Sequence, residues 1–203
     1  MITDVSGVLL AGGKSRRMGE DKRFLLVGQQ TLFERSCAVL RQQFEHICVV
    51  IAQDSPMLQT EIAVVRDLIP DCGSLGGLYT GLRQAKTPHV FLAACDMPFI
   101  DPGLVRYMVA LRDEADVVWA QWRGQLQPTH AVYSRSCLPV LEEMVNRRAL
   151  RIQDIGAHSA LRVRLVTEDE VRRIDSEGRS FLNVNTSADL DAARTFYADS
   201  AGQ

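Results

Sequence analysis

The feature that most constrains this chain is an abrupt change of character after residue 10. The apolar run Val8-Leu9-Leu10 is followed directly by Ala11-Gly12-Gly13-Lys14-Ser15-Arg16-Arg17-Met18-Gly19-Glu20-Asp21-Lys22. Glycine lacks the Cβ that would keep backbone N–H groups from converging on anionic oxygens, and Lys14, Arg16, Arg17 and Lys22 add cations to the same short segment. Open α/β sheets bind ligands beyond the carboxyl ends of their strands, so a strand ending in such a loop points to the phosphates of a nucleotide.

A P-loop is the first arrangement to test, because Gly13-Lys14-Ser15 matches the end of G-x-x-x-x-G-K-[ST] and Val90-Phe91-Leu92-Ala93-Ala94-Cys95-Asp96 has the form of a Walker B strand. The spacing argues against it. A P-loop needs glycine at position 8, where this chain has Val8, and Gly7 falls one residue too early. Gly19 and Gly28 also interrupt the region in which the anion-binding helix of a P-loop would begin.

Downstream, strands and helices alternate. The patterning predicts strands over Val5–Ala11, Ile47–Ala52, Ala63–Val65 and Val90–Ala94, with further strands over Val117–Ala120, Thr129–Tyr133 and Arg162–Val166. Thr31–Phe44 reads as a helix opened by a Thr31/Glu34 capping box, with Phe33, Cys37, Leu40 and Phe44 at helical spacing. Leu75–Ala85 reads as a glycine-containing helix, and Pro102–Arg112 as one capped by Asp101 with proline at its first position. Two more helices are expected near Ser136–Asn146 and Thr186–Tyr197. Continuous apolar strands suit a sheet covered on both faces, and helical crossovers favour parallel pairing. The expected class is α/β, a three-layer doubly wound fold with a mostly parallel sheet.

Composition narrows the function. The 203 residues are 46% hydrophobic, enough for one α/β domain with a substantial core. A formal net charge of -2, with the cations concentrated at one loop, argues against a general nucleic-acid binder. Cys37, Cys48, Cys72, Cys95 and Cys137 are odd in number and form no C-x-x-C pair, which fits reduced thiols in a cytoplasmic protein. No apolar run is long enough to span a bilayer, and the N-terminus lacks the basic flank of a signal peptide. No repeat or linker is evident, so a single domain is expected over residues 1–203.

The loop Leu10–Lys22 resembles the signature of nucleotidyltransferases that activate phosphorylated metabolites, and within them of the molybdenum cofactor guanylyltransferase (MobA) family. Asp67 followed by Gly73-Ser74-Leu75-Gly76-Gly77-Leu78, then Ala94-Cys95-Asp96-Met97-Pro98, then Asn183-Val184-Asn185-Thr186, agree with it in order, so the resemblance covers nearly the whole chain. It implies a Rossmann-like fold of the nucleotide-diphospho-sugar transferase type. It also implies a nucleotide-binding half over about residues 1–100 and an acceptor-binding half over about 101–200. The implied reaction is Mg²⁺-dependent transfer of GMP from GTP to the terminal phosphate of molybdopterin or its molybdenum-loaded form, with release of pyrophosphate. An accessory GTP-binding partner and cofactor-insertion proteins are implied as well, with neither nucleic acid nor membrane.

Carried onto this sequence, the resemblance assigns Arg16, Lys22 and Asp96 to catalysis. It assigns Leu10, Ala11, Gly12, Gly13, Lys22, Asp67, Gly76 and Asp96 to the nucleotide, and Asp96 to the metal. Asp96 also follows from the residues themselves, because a carboxylate ending an apolar strand emerges at the carboxyl edge of the sheet, where a hard cation can sit. Gly76 and Gly77 either let backbone approach the ligand or pack a helix closely. Arg148, in the cluster Arg147/Arg148/Arg151, together with Asn183 and Asn185, is assigned to the acceptor. A charged helix end explains the arginines equally well, and turn chemistry before a helix capped by Thr186 explains the asparagines. Where family members often carry Asn after the second long strand, this chain has Gln53. Trp119 and Trp122 are core residues or platforms for a flat ring. His46, His89, His130 and His158 lack metal-ligand spacing.

No general base is required for the implied reaction, since a phosphate monoester has a second pKa of about 6 and is largely ionised at pH 7. Alignment of two anions and stabilisation of charge at the α-phosphoryl group remain as the work of the site. The guanine preference rests on Leu10-Ala11-Gly12-Gly13, where cytidylyl relatives tend to show A-A-G. The alternatives are a cytidylyl- or other nucleotidyltransferase with a different phosphorylated acceptor, a non-catalytic GTP-binding module, and a P-loop NTPase that depends on Lys14.

Overall fold

The computed structural model describes residues 1–12 and 21–201. In chain order its elements are β1 (Val5–Leu10), β2 (Leu26–Val27), β3 (Gln30–Thr31), α1 (Leu32–Gln43), β4 (Ile47–Ile51), β5 (Ala63–Arg66), α2 (Gly73–Gln84), β6 (His89–Ala94), α3 (Pro102–Ala110), β7 (Val117–Trp122), β8 (Gln125–Ser134), α4 (Leu138–Asn146), β9 (Val163–Val166), α5 (Glu168–Arg172) and α6 (Ser187–Ala201). Short 3-10 turns occupy Lys22–Phe24, Arg135–Cys137, Ile152–Ala157 and Arg179–Phe181.

Local chemistry sets the helix starts. Thr31 accepts a hydrogen bond from Glu34 N, and the Glu34 carboxylate accepts from Thr31 N, the reciprocal box expected at the head of α1. Asp101 accepts from Leu104 N at the head of α3, where Pro102 occupies the first turn. The short α5, which the patterning had not suggested, carries the same kind of box between Thr167 and Glu170.

Seven strands form one sheet in the order β5-β4-β1-β6-β8-β7-β9, and β2 and β3 form a separate hairpin. The pairs β5/β4, β4/β1, β1/β6 and β7/β9 are parallel, while β6/β8 and β8/β7 are antiparallel. The sheet is therefore mostly parallel, as expected. It is also divided by sequence: residues 5–94 supply the all-parallel half, and residues 117–166 the half that carries the antiparallel pairs.

Successive side chains of the central strands go to opposite faces. Val5 and Leu9 of β1 and Phe91 and Ala93 of β6 join one core with α1 and α3 residues such as Leu40 and Leu104. Val8 and Leu10, with Val90 and Leu92, join the other with Leu75, Leu78 and Leu82 of α2 and Leu141 of α4. Full burial of such a side chain is worth about 1.5–3 kcal/mol, so two helix layers account for the continuous apolar strands. A smaller cluster of Val27, Leu32, Val184, Leu190 and Ala193 docks α6 on the hairpin.

Both tryptophans belong to the core. Trp119 is 3% exposed and donates to the Tyr133 hydroxyl at 2.9 Å, which in turn donates to Pro128 O at 2.7 Å. Trp122 packs on Phe181 with ring centroids 6.0 Å apart. A platform for a flat ligand is therefore not what these two side chains present here. All five cysteines are free thiols, and burial pushes those of Cys37, Cys95 and Cys137 up to about 12. No helix among the described residues is long and apolar enough to cross a membrane.

Candidate active site

At the carboxyl edge of the parallel half, β1, β4, β5 and β6 all end around one cavity of about 780 Å³. Its described walls come from Leu10 and Gly12 after β1, from 50–54 at the end of β4, from Asp67 after β5, and from Asp96 after β6. Gly73, Ser74 and Gly77 of α2 line it as well, with Lys22, Thr129, Asn183 and Asn185.

Main-chain hydrogen bonds between strand ends hold this rim together. Ala11 N donates to Val50 O at 2.9 Å, Cys95 N to Leu10 O at 3.0 Å, and Asp67 N to Ile51 O at 2.8 Å. A Cβ on Gly12 would lie 2.9 Å from Ala52 N, so glycine there lets its own backbone pack directly against the end of β4.

Three distant segments meet at Lys22. Its Nζ donates to Asp96 Oδ2 at 2.6 Å and to Asn185 Oδ1 at 3.3 Å. Val184 N donates to Asp96 O at 2.9 Å, which ties the Asn183–Asn185 segment to the end of β6. The other oxygen, Asp96 Oδ1, is buried with no hydrogen-bond partner among the described residues. An uncompensated buried carboxylate oxygen costs free energy, and such an atom beside a cavity is a waiting acceptor for a cation or a donor.

Below Lys22, the Arg23 guanidinium is buried and fastens the two ends of the glycine loop. It forms a fork on the Asp21 carboxylate, with Nε at 2.9 and 3.0 Å from its two oxygens and Nη2 also paired to Oδ2, while Nη1 donates to Ala11 O at 3.2 Å. The same fork holds the Asp21 carboxyl below its usual range. Nothing in the spacing of the sequence set Arg23 apart from its basic neighbours.

At the opposite wall, Asp67 is 9% exposed, and burial pushes its carboxyl up against the downward pull of hydrogen bonds from Ile69 N and Thr80 Oγ1. Gln53 donates from Nε2 to Asp67 O at 2.7 Å. Arg66 holds the following loop by donating to Ala52 O, Gln53 O and Ser55 O.

The structure thus gathers Leu10, Gly12, Lys22, Asp67, Asp96, Asn183 and Asn185 at one cavity, with Ala11 buried in its rim. Gly13 and Arg16 lie outside the described residues, as do Lys14 and Arg17. Gly76 is buried, and a Cβ there would stand 2.9 Å from Asp67 Oδ2, Cys72 Cβ and Ile69 O. Close helix packing explains it, whereas Gly77 beside it does reach the cavity wall. Arg148 does not line the cavity; it follows α4 with φ 56°, next to Arg147, which pairs with Glu143 at 2.8 Å. Asp54, Asp71, Ser74 and Thr129 are wall residues that the sequence reading assigned no duty.

Among the described residues no three His, Cys, Asp or Glu side chains cluster as a metal site. His130 is instead fully buried in the core, with ring centroids 5.1 Å from Phe91 and 5.2 Å from Phe181.

Comparison with known proteins agrees with this geometry. The MobA-like NTP transferase domain model matches residues 7–164. A probable molybdenum cofactor guanylyltransferase of Pelotomaculum thermopropionicum is 37% identical over 195 residues, covering 96% of this chain and 94% of the relative. The molybdenum cofactor guanylyltransferase of Desulfosudis oleivorans is 31% identical, covering 93% of this chain and 94% of the relative. In fold, the chain is similar to molybdopterin-guanine dinucleotide biosynthesis protein A of Archaeoglobus fulgidus, with a TM-score of 0.84 at 23% identity, covering 96% of this chain and all of that one. By its sequence, its sheet order and the cavity at the carboxyl edge of its strands, the chain belongs to the MobA-like NTP transferase family.

Proposed function

We propose that this protein transfers GMP from GTP to the terminal phosphate of molybdopterin, with pyrophosphate as the other product. The observation that carries the reading is the meeting of Lys22, Asp96 and Asn185 at the cavity, with Asp96 Oδ1 left without a partner. The names of its relatives supply the substrates.

In the reaction an oxygen of the acceptor phosphate attacks the α-phosphorus of GTP, the bond to the β-phosphate oxygen breaks, and the electron pair leaves with pyrophosphate. The nucleophile is already an anion near pH 7, so no side chain has to take a proton. Lys22 places its ammonium group where charge accumulates on the phosphoryl oxygens, and Arg16 adds a second cation from the glycine loop. Leu10, Ala11, Gly12 and Gly13 hold the base through the backbone, and Asp67 holds the nucleoside end. Asn183 and Asn185, on the cavity wall, bind the acceptor from the second half of the chain.

The donor set at Asp96 suits a hard cation, because Asp96 Oδ1 and the nearby Asn185 Oδ1 are both oxygens and Mg²⁺ ordinarily takes one or two carboxylates together with substrate phosphates. Mg²⁺ held by Asp96 would supply divalent positive charge against the negative charge of the reacting phosphates. Without it, two anions meet at a wall that already carries Asp96, and their repulsion opposes the alignment on which the rate depends. A cytoplasmic setting keeps the buried thiols reduced, and hand-over to cofactor-insertion proteins would follow release.

The test compares thermal stabilisation by GTP, CTP, UTP and ATP, each with and without Mg²⁺, and then pyrophosphate release on addition of molybdopterin. Selective stabilisation by GTP and acceptor-dependent pyrophosphate release are expected. Preference for CTP would replace the guanylyl assignment with a cytidylyl one, and release of inorganic phosphate instead would overturn nucleotidyl transfer.

A further inference from the structure

Thr80 lies on α2, outside the lining of the cavity, and it is fully buried. Its hydroxyl is used twice. It donates to Asp67 Oδ1 at 2.8 Å and accepts from Leu68 N at 2.9 Å. Ile69 N also donates to Asp67 Oδ1, at 3.1 Å. One carboxylate oxygen is therefore saturated from the protein side, by groups on α2 and on the segment after β5.

The geometry around the other oxygen is restrictive as well. Asp67 Oδ2 sits so close to the backbone of α2 that a Cβ on Gly76 would stand 2.9 Å away, and its residue forms part of the cavity wall. A carboxylate side chain has one soft torsion at its end, and with Oδ1 tethered that torsion is no longer free. Oδ2 is thereby held in one direction, beside Gly76, on a residue of the cavity wall.

We propose that Thr80 is a positioning residue for nucleotide recognition: by clamping Asp67 Oδ1 it presents Oδ2 to the nucleoside, which must offer an N–H or O–H donor there. This rests on the reading of the cavity as a nucleotide site. An ionised carboxylate accepts and cannot donate, so the complementary group on the ligand is a ribose hydroxyl or a base N–H and not a carbonyl. Burial without the Thr80 hydroxyl would leave the carboxylate short of one of its two donors on the protein side, and rotation toward water would compete with ligand binding.

The experiment measures GTP binding with Mg²⁺ by calorimetry, together with KM and kcat, for the intact protein, Thr80→Val, Thr80→Ser, Asp67→Asn and the Thr80→Val/Asp67→Asn pair. Thr80→Val keeps the shape and removes the hydroxyl. It is expected to raise Kd and KM about tenfold, of the order of one hydrogen bond to a charged group, with kcat little changed. Thr80→Ser restores both constants, and Thr80→Val adds nothing once Asp67 is Asn. Substituting ITP or 2′-deoxy-GTP separates the donors: the analogue that lacks the partner of Oδ2 loses affinity in the intact protein and becomes insensitive to Thr80→Val. Unchanged GTP affinity in Thr80→Val, or independent losses in the pair, overturns the proposal while leaving the nucleotide site standing. Failure of the intact protein to bind any nucleotide overturns both.

Discussion

Acidification should destabilise this protein through one residue of its core, His130. The imidazole is fully buried between Phe91 and Phe181, and neither Nδ1 nor Nε2 has a hydrogen-bond partner among the described residues. Desolvation pushes its pKa from the ordinary 6.5 down to about 4, against a small opposing pull from the Asp175 carboxylate. In the unfolded chain the same ring takes up a proton near pH 6.5, so between pH 6.5 and 4 the unfolded state binds more protons than the folded one. Stability contributed by the neutral ring is complete above pH 6.5 and falls as the pH drops, levelling off below about 4. The distance between the two values corresponds to about 3 kcal/mol in total, of which about 2 kcal/mol is gone by pH 5. A sizeable share of the few kcal/mol that keep a domain folded is at stake.

The comparison that isolates it is His130→Leu, which keeps an apolar side chain of similar size and removes the titrating group. Urea unfolding of both proteins from pH 7.5 to 4.5 should give a difference in free energy that grows in favour of the variant as the pH falls, with nearly all the change below pH 6.5. His46, His89 and His158 are common to both chains and cancel. Parallel pH dependences would refute the reasoning and mean that a proton finds a partner at His130 in the folded state.

Further consequences concern the site and its supports. Asp96→Asn should lower turnover by about two to three orders of magnitude, the usual cost of removing an electrostatic contact to the transition state, with folded structure retained by circular dichroism; undiminished Mg²⁺-dependent turnover would remove Asp96 from the site. Gly28 has φ 67°, and a Cβ there would stand 2.2 Å from the Tyr197 ring, so Gly28→Ala should cost at least about 1–2 kcal/mol in urea unfolding, with part of that loss absent in a Tyr197→Ala background. Tyr133→Phe leaves the Trp119 Nε1–H and Pro128 O without partners in the core and should cost about 1–3 kcal/mol, read from the same unfolding curves.

Much of the parallel half was legible in the residues because its signals are local or periodic. Thr31 and Glu34 cap a helix within four residues of sequence, Asp101 and Pro102 start another, and the run Val90–Ala94 is apolar whichever strands flank it. The hairpin at Leu26–Val27 and Gln30–Thr31 was missed, since two-residue strands carry no periodicity and their stability comes from α6 docking on them. Gly76 was open to two readings because a glycine's sequence neighbours do not reveal which atoms crowd its missing Cβ.

Sequence by itself determined the longer helices and strands, the α/β class, and the set of chemical groups at the strand ends, because helix capping, strand hydrophobicity and the emergence of Asp96 after an apolar run are properties of a few consecutive residues. Tertiary structure alone decided which of those groups meet. Lys22 reaches Asp96 across 74 residues and Asn185 across 163, and Thr80 reaches Asp67 from the neighbouring helix. It also decided that His130 and both tryptophans are core and that Arg148 stands off the cavity wall. Such pairings depend on strand order and on the packing of helices against the two faces of the sheet, and no run of residues encodes them separately from the fold.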